Sequence, residues 1–199
     1  MVDNEVLQNT LISIDELIEE HGGSRKEKIT EVFDVIGERF ATTPASTNLK
    51  YHSCYRGGLM VHTLNVLQGM LAINDALYGC DKESILIAGL FHDIGKIGSV
   101  FPSLPLYIDN DSQWHIEKLG MVYKYNPEIN DCLTHSLRSI RILTQLNFPL
   151  LDNEFVAILT HDGWFEEANR AKEMMRCTFP LVKLLQHADQ ICTVNEKNE

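Results

Sequence analysis

No stretch of this sequence approaches the ~18 consecutive apolar residues of a membrane span, and its opening, MVDNEVLQNT, carries acid where a secretory signal needs basic residues and an apolar run. Neither membrane association nor export is expected. Positive charge is scarce as well: 17 Lys and Arg stand against 28 Asp and Glu, a formal net charge of -11. Such a balance repels polyanions unless cations are gathered locally or supplied by metal ions, so binding of duplex nucleic acid by a broad basic face is not expected. The five cysteines, at positions 54, 80, 132, 177 and 192, are odd in number and form no CxxC or other zinc-type spacing. They read as reduced, mostly buried thiols, and a reducing cytoplasm is the expected location. Internal repeats, low-complexity tracts and linkers are missing too. That leaves one domain over residues 45–199 with an N-terminal helical extension over 1–44 packed on it.

What is present is helical periodicity. The chain has 199 residues, 44% of them hydrophobic, enough for a sizeable core. Leu7, Leu11, Ile14 and Ile18 make a stripe that Gly22-Gly23 ends. Ser24 with Glu27 then reads as a capping box for a second helix carrying Ile29, Val32, Phe33, Ile36 and Phe40, stopped by Thr43-Pro44. After the Gly57-Gly58 turn, which permits close backbone approach, a helix is expected over about 59–78. Asp81 is the predicted N-cap of the next, about Lys82 to Asp93, apolar nearly all round and so central. Leu106-Tyr107-Ile108 and Val122-Tyr123-Lys124-Tyr125 predict a small hairpin or ordered loop, whose Tyr123, Tyr125 and neighbouring Trp114 either cap a pocket or anchor a minor core. Helical spacing returns at Leu133, Leu137, Ile140 and Leu143, then over Asn153–His161 and Pro180–Thr193. The expected class is all-α.

The chemistry concentrates in a few polar residues on apolar faces. His92 and Asp93 end a helix whose preceding residues, Ile85 to Phe91, offer nothing polar beyond backbone. A carboxylate beside an imidazole in such surroundings asks for a partner, and a divalent cation is an efficient one. The bland alternative is a capping Asp beside a surface His. Asp189 shares a helix face with Val182, Leu185 and Cys192, and His62 shares one with Val66 and Ile73. His135 falls in the period of Ile142 and Leu146, and His161 follows Ile158-Leu159. His62, His92, Asp93, His135, His161 and Asp189 are enough ligands for two ions with one carboxylate bridging. Mixed imidazole and carboxylate donors suit Mn, Fe, Ni, Co or Zn, with Mg possible.

The order His, then His-Asp, then Asp, carried here by GGLMVHTLNVL, LIAGLFHDIGK and LLQHADQI, resembles the HD-domain superfamily of metal-dependent phosphohydrolases. That resemblance implies a compact helical bundle with the metal site between helices. The segment RFATTPASTNLKYHSCYRGGLMVHT also looks like the HD portion of 3'-to-5' exoribonucleases and of uncharacterised phage and bacterial HD proteins, as do HSLRS at His135 and HDGW at His161. These two motifs imply second-metal or phosphate contacts. No segment is strand-rich enough for the OB domain of the exoribonucleases, which argues against processive RNA degradation. Lys96 stands where HD nucleotidases usually carry an acid-base Glu. HDIGK instead resembles the phosphodiesterase-like branches, in which a cation there contacts a phosphate oxygen, although a helix-end lysine answering the macrodipole is the simpler reading.

The expected activity is hydrolysis of a phosphoester, a diester above all, in a small nucleotide or short oligonucleotide. Asp93 and Lys96 are the expected catalytic residues, and Arg138, Arg56 and His52 the expected substrate contacts. A nucleotide phosphatase or triphosphohydrolase, and a noncatalytic HD module that binds a nucleotide or a partner, are the alternatives. Oligomeric state is not legible.

Overall fold

Lys82–Phe91 is apolar on every side, and the structure, a computed model describing residues 3–163 and 178–196, buries Ser84 and every later residue of this helix. Asp81 caps it by accepting from the Ser84 amide at 2.9 Å, as its sequence position predicts. Besides this helix, α4, the described residues form α1 (Asn4–His21), α2 (Lys26–Phe40), α3 (Gly58–Leu77), α5 (Gln113–Leu119), α6 (His135–Gln145), α7 (Asp152–Thr160) and α8 (Pro180–Asn195). The class is all-α, with one two-stranded antiparallel sheet among the described residues. Its strands are β1 (Tyr107–Asp109) and β2 (Tyr123–Tyr125), with Tyr107 opposite Tyr125 and Asp109 opposite Tyr123. The connection between them contains α5, which periodicity did not announce. No helix of the described residues is long and apolar enough to cross a membrane.

The core has two lobes that meet at α4. In the larger, Ile14 and Ile18 of α1 and Ile29, Val32, Ile36 and Phe40 of α2 pack with Leu59, Met60 and Leu67 of α3 and Leu86, Ile87, Leu90 and Phe91 of α4. Each such side chain, fully buried, contributes roughly 1.5–3 kcal/mol relative to exposure. The N-terminal helices are therefore part of the same core as α3 and α4. In the smaller lobe, Val66 and Met70 of α3 and Ile85 and Ala88 of α4 meet Ala157 of α7 and Leu181, Leu184, Leu185 and Ala188 of α8.

Two sequence expectations fail for identifiable reasons. Ser24 and Glu27 form no capping box: Gly23–Arg25 is a 3-10 turn, and Ser24 Oγ donates instead to Glu83 Oε1 at 3.3 Å. The competitor is Arg25, whose Nη1 and Nη2 each donate at 2.7 Å to the buried Glu154 while Nε donates at 2.9 Å to Glu83, joining the α1–α2 corner to the N-termini of α4 and α7. Charge-assisted bidentate bonds outweigh one neutral cap. On α6, Leu137 is 43% exposed, and Ser136, Arg138, Ser139, Ile142 and Leu143 turn inward. At its N-terminal end this face packs closely on backbone, where a Cβ on Gly95 would lie 1.9 Å from the His135 carbonyl oxygen, and further along Ile142 and Leu143 join the larger core lobe.

Candidate metal centre

α4 ends where the chemistry begins. The His92 amide still bonds to the Ala88 carbonyl, whereas Asp93, at φ -110 and ψ 4, leaves the helix for the short 3-10 turn Ile94–Ile97. The last carbonyls of a helix lack amide partners. His92 Nδ1 donates to one of them, Gly89 O, at 2.8 Å, and His161 Nδ1, just past α7, donates to Ile158 O at 2.8 Å. Each bond keeps the proton on Nδ1 and leaves the Nε2 lone pair free for the interior. His62 comes from α3. The Gly57-Gly58 turn fits the close approach its sequence suggests: Gly57 has φ +85, and a Cβ on Gly58 would meet the Ser53 carbonyl at 2.0 Å. His135 opens α6, and Ser139 Oγ ties that helix to the turn by donating to His92 O and accepting from the Gly95 amide, both at 2.8 Å.

These segments bring the six predicted ligands together around the two oxygens of Asp93. Oδ2 lies 3.6 Å from His92 Nε2 and 3.8 Å from His62 Nε2, and the latter is 3.1 Å from Asp189 Oδ1. Oδ1 lies 3.4 Å from His135 Nε2 and 3.3 Å from His161 Nε2, which are 3.1 Å from each other. Ligand atoms bound at ~2.1 Å to one ion are about 3.0 Å apart at octahedral angles and about 3.4 Å at tetrahedral ones. The observed separations fall in or near that range on both sides of Asp93. His62 Nε2, His92 Nε2, Asp93 Oδ1 and Asp162 Oδ2 are buried without hydrogen bonds among the described residues. Each orphaned polar atom costs about 1–3 kcal/mol, a cost that divalent ions would offset. On each side of Asp93 the donor set could hold such an ion.

The electrostatics agree. Burial would push the Asp93 carboxyl up, yet Lys96 and the surrounding imidazoles hold it well below the usual carboxylate range. Lys96 Nζ stands 2.6 Å from Asp93 Oδ2, and this charge raises its own pKa against the cost of burial. Burial alone favours neutral imidazoles, and it dominates at His92, pushed down to about 4. At His62 the flanking Asp189 and Glu196 overcome burial and raise it to about 9, and Asp162 and Asp93 do the same at His161. The acidic neighbours of His62 and His161 thus favour positive charge on both sides of Asp93.

A cavity of about 600 Å³ opens over the centre, lined by Asp93, Lys96, His161, Asp162 and Asp189, with His52 and the α8 residues Lys183, His187 and Gln190. The ring of His52 lies 4.6 Å from that of His62. Arg138 and Arg56 are not among the lining residues. Arg138 is buried, and its Nη2 donates to Asp131 Oδ1 at 2.6 Å and to Leu133 O at 3.0 Å, so its guanidinium is engaged away from the cavity lining. Arg56 is exposed. Trp114, Tyr123 and Tyr125 do not line the cavity either; Tyr125 packs edge-on to Tyr107 at 5.4 Å across the sheet.

Two carboxylates escaped the sequence reading. Asp162 Oδ2 lies 3.1 Å from His135 Nε2, and the signal was a second His-Asp pair, His161-Asp162. Glu196 lies against His62, and its signal was the seven-residue spacing from Asp189, two helical turns. Trp164, the end of the HDGW motif, lies outside the described residues.

Comparisons with curated proteins and with solved structures found no match. The family model of the HD domain matches residues 59–193, a span that takes in every residue of the six-ligand cluster. The chain belongs to the HD-domain family of metal-dependent phosphohydrolases.

Proposed function

We propose that this protein hydrolyses a phosphoester, a phosphodiester in preference, in a nucleotide or short oligonucleotide, and that it does so with two divalent ions. One observation carries the reading: the two oxygens of a single buried carboxylate, Asp93, face separate imidazole pairs, His62 with His92 and His135 with His161. Divalent ions held there supply Lewis acidity to the phosphate and to an attacking water. Asp189 stands beside the first pair and Asp162 beside the second, so each side has a further carboxylate to neutralise charge and fix geometry. Lys96 lines the cavity beside Asp93, where its ammonium can offset charge developing on a nonbridging phosphate oxygen. The cavity volume suits a nucleotide-sized ligand, and concave recognition removes the need for a basic stripe.

Product analysis tests this. The protein, loaded in turn with Mn, Fe, Co, Ni, Zn and Mg, is offered mononucleotides, dinucleotides and short oligonucleotides. Release of nucleoside monophosphates from diesters supports the proposal. Phosphate or pyrophosphate from mononucleotides alone replaces it with a phosphatase or triphosphohydrolase. Tight nucleotide binding with no turnover under any metal replaces it with a binding module.

A further inference from the structure

His62 differs from the other two buried histidines in how its Nδ1 is served. His92 and His161 each sit just past a helix end, where a carbonyl three residues back is unused, and each donates to it. His62 lies inside α3, where such carbonyls are engaged in the helix ladder, and no local acceptor is left. The acceptor arrives from 134 residues away: Glu196, just after α8, places Oε2 and Oε1 at 3.1 and 3.2 Å from His62 Nδ1. The carboxylate is itself fixed. Ser53 Oγ donates to it at 2.7 Å and Asn65 Nδ2 at 2.9 Å, and its side chain is 7% exposed. Glu196 falls outside the span matched to the HD domain.

We propose that Glu196 is a positioning residue for the ion on the His62 side of Asp93, holding the proton on Nδ1, fixing the ring plane and strengthening Nε2 as a donor. The inference rests on the metal reading of the site. His52, His62 and Glu196 also bring ligand atoms within 4.8 Å of one another, but an Nδ1 that holds a proton for Glu196 cannot ligate an ion. The bonds from Ser53 and Asn65 extend the arrangement: the loop ahead of α3, α3 itself and the end of α8 are joined through one carboxylate.

The test is a titration of the full chain, freed of metal by chelation, with manganese(II) alone, followed by calorimetry and electron paramagnetic resonance. Wild type is compared with Glu196→Ala and Glu196→Gln. Loss of an outer partner of a ligating histidine weakens metal binding by about 10- to 100-fold. Glu196→Ala is therefore expected to weaken one of two bound ions by that factor and leave the other alone. Glu196→Gln, whose amide oxygen still accepts from Nδ1–H, should fall between, and it also serves if the alanine variant fails to fold. Wild-type affinities for both ions in both variants overturn the proposal. Equal weakening of both ions, with a lowered unfolding midpoint of the metal-free protein, overturns it in favour of a purely structural role. A third wild-type ion that vanishes in the variants makes Glu196 a ligand and overturns it too. A wild type that takes up no manganese sinks the metal reading itself, a result distinct from all of these.

Discussion

Asp93 is the residue on which the centre depends most, because its two oxygens serve different imidazole pairs. Asp93→Asn is expected to remove turnover and cut bound metal by more than one ion per chain, whereas His135→Ala should lower it by about one. Metal analysis of the purified variants checks this, and an Asp93→Asn protein with full metal and activity would falsify the assignment. Lys96 gives a sharper test of chemistry. Metal-loaded Lys96→Ala should keep its ions but lose about 10- to 1,000-fold in kcat/KM, the range for one charge-stabilising donor. If kinetics are unchanged, Lys96 serves only to neutralise Asp93. His62, His92, Asp93 and Asp189 were legible because a polar side chain on an apolar helix face is costly to bury unless it is paired or ligating. Asp162 and Glu196 were hidden, the one behind its neighbouring histidine, the other in a charged tail that reads as solvated. Arg138 stands away from the cavity lining because Asp131, seven residues before it, pairs with its guanidinium, which its spacing from His135 does not reveal.

Helices were readable wherever one apolar face meets the core, and α4 was readable because it has no other kind of face. α6 was readable as a helix but not in its facing: its first turn packs on the backbone of the 94–97 turn, which hydrophobic periodicity does not record, and so Leu137 is left outward. Gly95 is the means of that approach, since any Cβ there collides with the His135 carbonyl and the Ser139 amide. Gly95→Ala is therefore expected to push α6 away and weaken the ion between His135 and His161 more than its partner. Manganese titration measures this, and the overpacking should also cost about 1–3 kcal/mol by urea unfolding. The Arg25 junction makes a pH prediction. Hydrogen bonding to Arg25 depresses the Glu83 carboxyl below its ordinary value. A depressed folded pKa contributes stability that is full above the unfolded pKa and fades as pH falls through the folded one. Glu83→Gln should thus lower the urea midpoint at about pH 7 and narrow the gap to wild type at about pH 3. A gap that widens in acid would contradict the coupling.

At the scale of the whole chain, the N-terminal helices, expected to pack on the domain as an extension, contribute side chains to the larger core lobe. Removing residues 1–44 would strip Ile29, Val32, Ile36 and Phe40 from contact with α3 and α4. The remainder is expected to aggregate or to expose apolar surface to dyes, and a monodisperse, cooperatively melting 45–199 fragment would show the division to be real. The acidic balance, -11 over 199 residues, keeps the exterior hostile to polyanions, so affinity for a phosphate-bearing substrate has to come from within the cavity.

The candidate ligands come from α3, the ends of α4 and α7, α6 and α8, so ions held at this centre would fasten together segments from position 62 to position 189. An unfolded chain cannot hold that geometry, and binding confined to the folded state adds about 2.7 kcal/mol when free metal is 100 times its Kd. Empty and loaded copies of one sequence then differ in lifetime. A protease that samples transient openings is then expected to remove the empty ones first, enriching the survivors in molecules ready for chemistry.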